Sequence, residues 1–254
     1  MFSLRRRAVS EFFRRCHRTR HPVSHIIKPR QAATVILLRE TEPKGFEVFL
    51  TRRPDAMPFL GGMYCFPGGV VRKDDRSLRM IERCRGLAPE QARKIASAQF
   101  SPRQALGIWV AAVRELFEEV GILLAVDSSG TAILPGKLCE KHRAAMDGSS
   151  TFLSLLRDED LYCDLSSLVY FSHWQTPAQN ALRFDTRFFI AALPRQQTPL
   201  ETSEEVTHSI WLLPDLAMQR YGRGDLPMIF PTFASLRTLA DFGTIESVMK
   251  EFRR

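Results

Sequence analysis

Three glutamates in the stretch 114-RELFEEVGI-122, Glu115, Glu118 and Glu119, are separated by three and four residues. On a helix that spacing places them on one face, where like charges repel unless a cation intervenes. The nearby cation in sequence is Arg114, four residues before Glu118. Hard divalent cations such as Mg2+ and Mn2+ take several oxygen ligands and share their sites with substrate phosphates. The cluster therefore reads as a candidate metal site for phosphate chemistry, against the plainer reading of a solvated acidic face, and the spacing alone does not choose. A second candidate lies upstream in 66-FPGGV-70, where Gly68 and Gly69 have no side chain to keep backbone from a ligand.

The elements that must position these residues follow from periodicity. Residues 104–120 form the clearest helix, with Ile108, Trp109, Ala112, Val113, Leu116, Phe117 and Val120 on one face and Gly121 as its stop. Residues 32–40 and 46–53 read as a strand hairpin turned at 43-PKG-45, and a short strand at 63–66 runs into the Pro-Gly-Gly turn. Further strands are expected at 168–174, 183–193 and 206–213, and helices around 214–220 and 231–242. Between the two chemical stretches, residues 71–103 are charged and helix-permissive at 77–84 and 89–99, and look inserted. Strands from both halves around a central helix give an α/β class, a mixed β-sheet with helices on its faces.

Bulk properties narrow the functions. The chain has 254 residues, 44% of them apolar, enough for one large domain with appendages. Its net charge of +8 is carried entirely by residues 1–30, which hold nine Lys and Arg against Glu11, so residues 31–254 are formally neutral. A neutral body does not present the basic face that phosphate-backbone binding needs, so a nucleic-acid partner is not expected. Five scattered cysteines without a CxxC pair argue against a disulfide framework or a structural zinc site and for a reducing compartment. Apolar runs such as 188-FFIAAL-193 fall far short of the ~20 residues that span a bilayer. The basic tail, with Leu4, Ala8 and Phe12 at four-residue spacing, leaves two locations open. One is the cytoplasm with the tail as a solvated extension, and the other the mitochondrial matrix with the tail as a transit peptide.

The acidic stretch also fits a longer pattern. Arg-Glu-apolar-x-Glu-Glu-x-Gly-apolar fixes seven positions, and its chance appearance in such a chain is roughly one in tens of thousands. It resembles the second half of the Nudix box, the signature of hydrolases that cleave a diphosphate linked to another group. Gly69 followed by Asp75 matches the first half, with Asp where the family usually has Glu. In this sequence 38 residues separate Asp75 from Arg114, far more than in the usual box. The halves join if 76–106 is an insertion, as in the interrupted-box subgroup that includes the peroxisomal type acting on coenzyme A esters. The segment 50-LTRRPDAMPFLGGMYCFPGG-69 is similar, in register, to the element before the box in coenzyme A diphosphatases. It departs at Pro54, Pro58 and Met63, which puts the substrate in doubt and leaves the chemistry untouched.

The resemblance implies a Nudix fold over residues 31–254, with a helical extension at 214–254 and the basic tail at 1–30. It also implies Mg2+ or Mn2+ held by Glu115, Glu118 and Glu119, with a coenzyme A, acyl-CoA, nucleotide sugar or dinucleotide diphosphate as the small-molecule substrate. In that reading Arg114 orients the carboxylates, Gly68 and Gly69 approach the phosphates, and Arg52 lies in the substrate element. The general base is left open between Glu118, Glu119 and a distal acid in 201-ETSEE-205, where Glu204 and Glu205 are the candidates. Arg183 and Asp185 alternate with Phe184, which suits either a strand face turned to substrate or ordinary edge-strand polarity. His173 reads as an interior or rim histidine, and Phe171, Trp174 and Phe188 as core. A homodimer is left open, as is a ligand sensor or RNA-binding protein on the same fold, which would be expected to have lost its metal ligands.

Overall fold

The structure, a computed structural model, describes residues 27–132, 151–203 and 205–253. β1 (Arg30–Glu40) and β2 (Phe46–Arg52) form the expected antiparallel hairpin, with Leu38 opposite Val48. β3 (Tyr64–Cys65) pairs with β2, and β4 (Gly68–Val70) pairs with β1. β5 (Cys84–Arg85), β6 (Ala125–Val126) and β7 (Tyr162–Asp164) make a small second sheet in which Cys84 and Ala125 both register on Cys163. β8 (Val169–Gln175), β9 (Phe184–Ala192) and β10 (His208–Leu212) complete the main sheet, whose order is β10-β2-β1-β9-β8. β1 and β9 run parallel and the other pairs antiparallel, so the sheet is mixed as expected.

Both faces of this sheet are buried, which is why its strands read as near-continuous apolar runs. On β1, Ala33, Val35 and Leu37 point to one face and Ile36 and Leu38 to the other. The short helices α1 (Leu78–Ile81) and α2 (Pro89–Ala96) precede the long helix α3 (Pro102–Val120), which covers the first face. Trp109 of α3, 1% exposed, lies with its ring 4.8 Å from that of Phe189. After α4 (Phe152–Asp158), the helices α5 (Pro214–Arg223), α6 (Phe230–Leu239) and α7 (Ile245–Phe252) follow, and Ala217, Leu236 and Val248 close the second face. Among the described residues no helix is long and apolar enough to cross a membrane. Cys65, Cys84 and Cys163 carry free thiols.

Two boundaries differ from expectation. α3 begins at Pro102, so the last residues of the 76–106 stretch read as an insertion belong to the helix that carries the glutamates. The cause is a capping box, in which the Ser101 hydroxyl accepts from the Gln104 N–H at 3.3 Å and the Ser101 N–H donates to the Gln104 side chain at 2.8 Å. Pro102 then suits the first helical position. The helix expected over 77–84 stops at Ile81, because Cys84 and Arg85 are drawn into β5. At its far end α3 stops as read, with Gly121 left-handed at φ 73° and its N–H on the Phe117 carbonyl.

Candidate active site

The last two turns of α3 bring Arg114, Glu115, Glu118 and Glu119 to the Gly68–Gly69 segment. Arg114 is 3% exposed and organises the cluster. Its guanidinium makes a two-pronged pair with Asp75, at 2.8 and 3.0 Å, and also donates to the Val70 carbonyl at 3.0 Å. The remaining nitrogen reaches Glu115 at 2.7 Å and Glu118 at 2.8 Å. Such a fork fixes direction as well as distance. Burial pulls the Arg114 pKa down, but its hydrogen bonds to Asp75 and the surrounding carboxylates more than offset it, so the group is held charged. Asp75, 1% exposed, stands beside Arg114 although 38 residues separate them in sequence.

Glu115 and Glu119 face the glycines. The Gly68 N–H donates to Glu119 at 3.0 Å. A Cβ at Gly69 would fall 2.6 Å from the Glu115 carboxyl carbon, and one at Gly68 would fall 2.3 Å from the Ala33 carbonyl oxygen. Only residues without side chains allow β4 to lie so close to both. Burial raises the Glu115 pKa, against the opposing charge and hydrogen bond of Arg114. It raises that of Glu119 further, with Glu115 and Glu205 adding repulsion and the Gly68 N–H and Arg53 opposing. Glu205, exposed on the loop before β10, is thus within electrostatic range of Glu119. Glu204 lies outside the described residues.

Glu118 is held differently. Arg72 clamps its carboxylate with two nitrogens, at 3.0 and 2.9 Å. The sequence reading, which counted Arg114 as the local cation, is corrected here, because the turn after β4 folds Arg72 onto the helix from 46 residues upstream. Arg53 is a second residue the sequence did not single out. It follows Arg52, the last residue of β2, and is the one whose charge acts on Glu119. Arg52 instead pairs with Asp55 at 2.6 Å, 32% exposed. Cys65, beside Thr51, has its thiol pushed up to about 11 by burial and by the Glu119 charge.

Arg183 and Asp185 are engaged elsewhere. Arg183 spends its guanidinium on the backbone carbonyls of Thr176 and Ile27. Asp185 sits in a buried cluster with Gln31 at 2.7 Å, Arg187 at 2.6 Å and the half-exposed His173. Burial opposes its charge, but the hydrogen bonds from Arg187, His173 and Gln31 prevail and hold its carboxyl below the usual range. Register places Arg187 and Gly69 both opposite Ala33, on either side of β1, so this cluster is centred on β9, two strands from the glycines. Phe100 caps the Arg187 guanidinium at 5.0 Å, a structural tie between β9 and the segment before α3.

Among the described residues no three histidine, cysteine or acidic groups already converge into a metal cage. The residues nonetheless fit a hard divalent cation. Glu115 and Glu119 are buried carboxylates whose charges oppose each other, and Glu118 is on the same turn of the helix. A cation at that point would add to the partial relief that Arg114 gives Glu115 and that the Gly68 N–H and Arg53 give Glu119.

This architecture, with its carboxylate helix against a diglycine turn, is that of a Nudix hydrolase. A NUDIX hydrolase from Alicyclobacillus acidocaldarius superposes with a TM-score of 0.76 at 29% identity, over 90% of this chain and 99% of that one. More narrowly, the chain belongs to the NUDT19 Nudix domain family, which matches residues 29–239. The acyl-coenzyme A diphosphatase NUDT19 of Gallus gallus is 28% identical over 87% of this chain and 70% of its own length. That of Homo sapiens is 26% identical over 84% and 65%. The chain thus spans about two thirds of the length of these curated relatives.

Proposed function

We propose that the protein hydrolyses the diphosphate of coenzyme A or an acyl-CoA, with Mg2+ or Mn2+ held by Glu115, Glu118 and Glu119. The observation that carries this reading is the pair of buried, mutually repelling carboxylates, Glu115 and Glu119, packed against Gly68 and Gly69. A divalent cation bound there supplies neutralisation of the diphosphate oxygens and acidifies water. Arg114, fixed by Asp75, orients Glu115 and Glu118, and the Gly68–Gly69 backbone approaches the phosphates. Water adds across one phosphorus–oxygen bond of the anhydride, leaving two phosphomonoesters. Glu119 and Glu205, whose charge acts on Glu119, are the candidates for taking the proton of that water.

A cleft of about 590 Å3 lies between the 197–202 segment and β10, lined in part by Phe49, Gln197, Ser209 and Trp211 and by none of the α3 carboxylates or glycines. Residues 76–101 are read as the elaboration that interrupts the box; of the basic tail read over 1–30, residues 1–26 lie outside the described residues and Arg30 begins β1. Purified protein with Mn2+ tests the substrate on a panel of coenzyme A, an acyl-CoA, ADP-ribose, NADH and a dinucleotide. The expected result is the highest kcat/KM on the coenzyme A compounds, with 4′-phosphopantetheine or its acyl form as a product. Turnover of ADP-ribose or a dinucleotide with coenzyme A left intact would assign a different substrate.

A further inference from the structure

Arg72 is a member of the charged cluster that is both engaged and largely exposed. Its side chain is 56% exposed, yet two of its nitrogens occupy both oxygens of Glu118. Arg114, the other cation on Glu118, is 3% exposed and tied to Asp75 and Val70, so it cannot leave. The Arg72 backbone is anchored separately, its N–H donating to Asp75 at 2.7 Å. A long arginine stem on a fixed backbone point can therefore swing without disturbing the turn.

We infer that Arg72 is a counter-ion exchanged on loading: it holds Glu118 while the site is empty, yields it to the incoming cation, and then pairs with the diphosphate. This rests on the reading that the α3 carboxylates hold a divalent cation. The electrostatics run in one direction. A cation and a guanidinium compete for the same two oxygens, and the substrate brings new anionic oxygens of the kind a guanidinium grips in two-pronged fashion. Arg72 thereby opposes metal binding and favours substrate binding, two effects of opposite sign from one side chain. A merely structural arginine would give neither.

The test separates the two halves. Mn2+ binding to metal-free protein is measured by the electron paramagnetic resonance signal of free Mn2+, with no substrate present. Arg72→Ala is expected to tighten Mn2+ binding by roughly 2- to 5-fold, the weight of one partly exposed ion pair. In a Glu118→Gln background the same substitution is expected to change Mn2+ affinity little, because the competition passes through Glu118. In kinetics Arg72→Ala is expected to raise KM about tenfold with kcat little altered, and Arg72→Lys to restore part of the loss as a point charge. Circular dichroism and melting confirm that each variant folds. Unchanged or weaker Mn2+ binding in Arg72→Ala, or the same gain with and without Glu118, would overturn the exchange, as would an unaltered KM. Should coenzyme A prove not to be the substrate, the proposed activity fails, while the Mn2+ titration still decides the role of Arg72.

Discussion

Gly69→Ala perturbs the site by a single methyl group, and its cost can be worked from the geometry. A Cβ at this position lies 2.6 Å from the Glu115 carboxyl carbon and 2.7 Å from both of its oxygens. Ordinary contact begins near 3.4 Å, so the carboxylate has to withdraw by about 0.8 Å. It cannot do so freely, being 7% exposed and held by Arg114 at 2.7 Å. A misplacement of ~1 Å in a catalytic constellation costs about 10²-fold, or ~2.7 kcal/mol of transition-state stabilisation. The backbone has no comparable objection, since Gly69 is not among the glycines with positive φ and pairs with Ala33 through main-chain groups. The expected outcome is a kcat/KM about 10²-fold lower, weaker Mn2+ binding and near-normal circular dichroism. Activity within about threefold of the parent, in a folded variant, would refute the close packing of Gly69 on a catalytic carboxylate.

Two further outcomes follow from the same cluster. Asp75→Ala leaves the Arg114 charge buried without its two-pronged partner and is expected to destabilise the protein by ~3–5 kcal/mol, read by urea unfolding. The folded pKa of Glu119 lies above its ordinary value, so the native state holds that proton more tightly than the unfolded chain. Stability from this group is then greatest below the ordinary carboxylate pKa and is lost as pH rises through the folded value. Metal-free Glu119→Gln is accordingly expected to melt higher than the parent at neutral pH, by ~2–4 °C for each kcal/mol relieved, with the gap closing towards pH 4.

Much of the site was legible because its signals are local. The 3.6-residue period of α3 and the spacing of Glu115, Glu118 and Glu119 are properties of adjacent turns. The pairing of Asp75 with Arg114 was readable only through the motif, since nothing in periodicity links residues so far apart. Strands such as Cys84–Arg85 and Tyr162–Asp164 have no period to detect and exist because they pair with one another. Arg53 was passed over for Arg52 because both faces of β2 are apolar, so alternation could not say which faces α3. At Asp185 the polar alternation was visible and Arg187 stands two positions on along β9, but its partner His173 comes from pairing between β8 and β9. Arg72 was invisible because only the turn after β4 aims it at Glu118.

The central claim is that the α3 carboxylates hold the cation at which a diphosphate is cleaved. Coenzyme A turnover measured against titrated Mn2+, for the parent and for Glu118→Gln, tests it most directly. The account predicts no turnover in chelator, saturable activation by Mn2+, and a kcat at least ~10³-fold lower in a fully folded Glu118→Gln. Turnover that survives chelation, or a Glu118→Gln variant close to the parent, would contradict it.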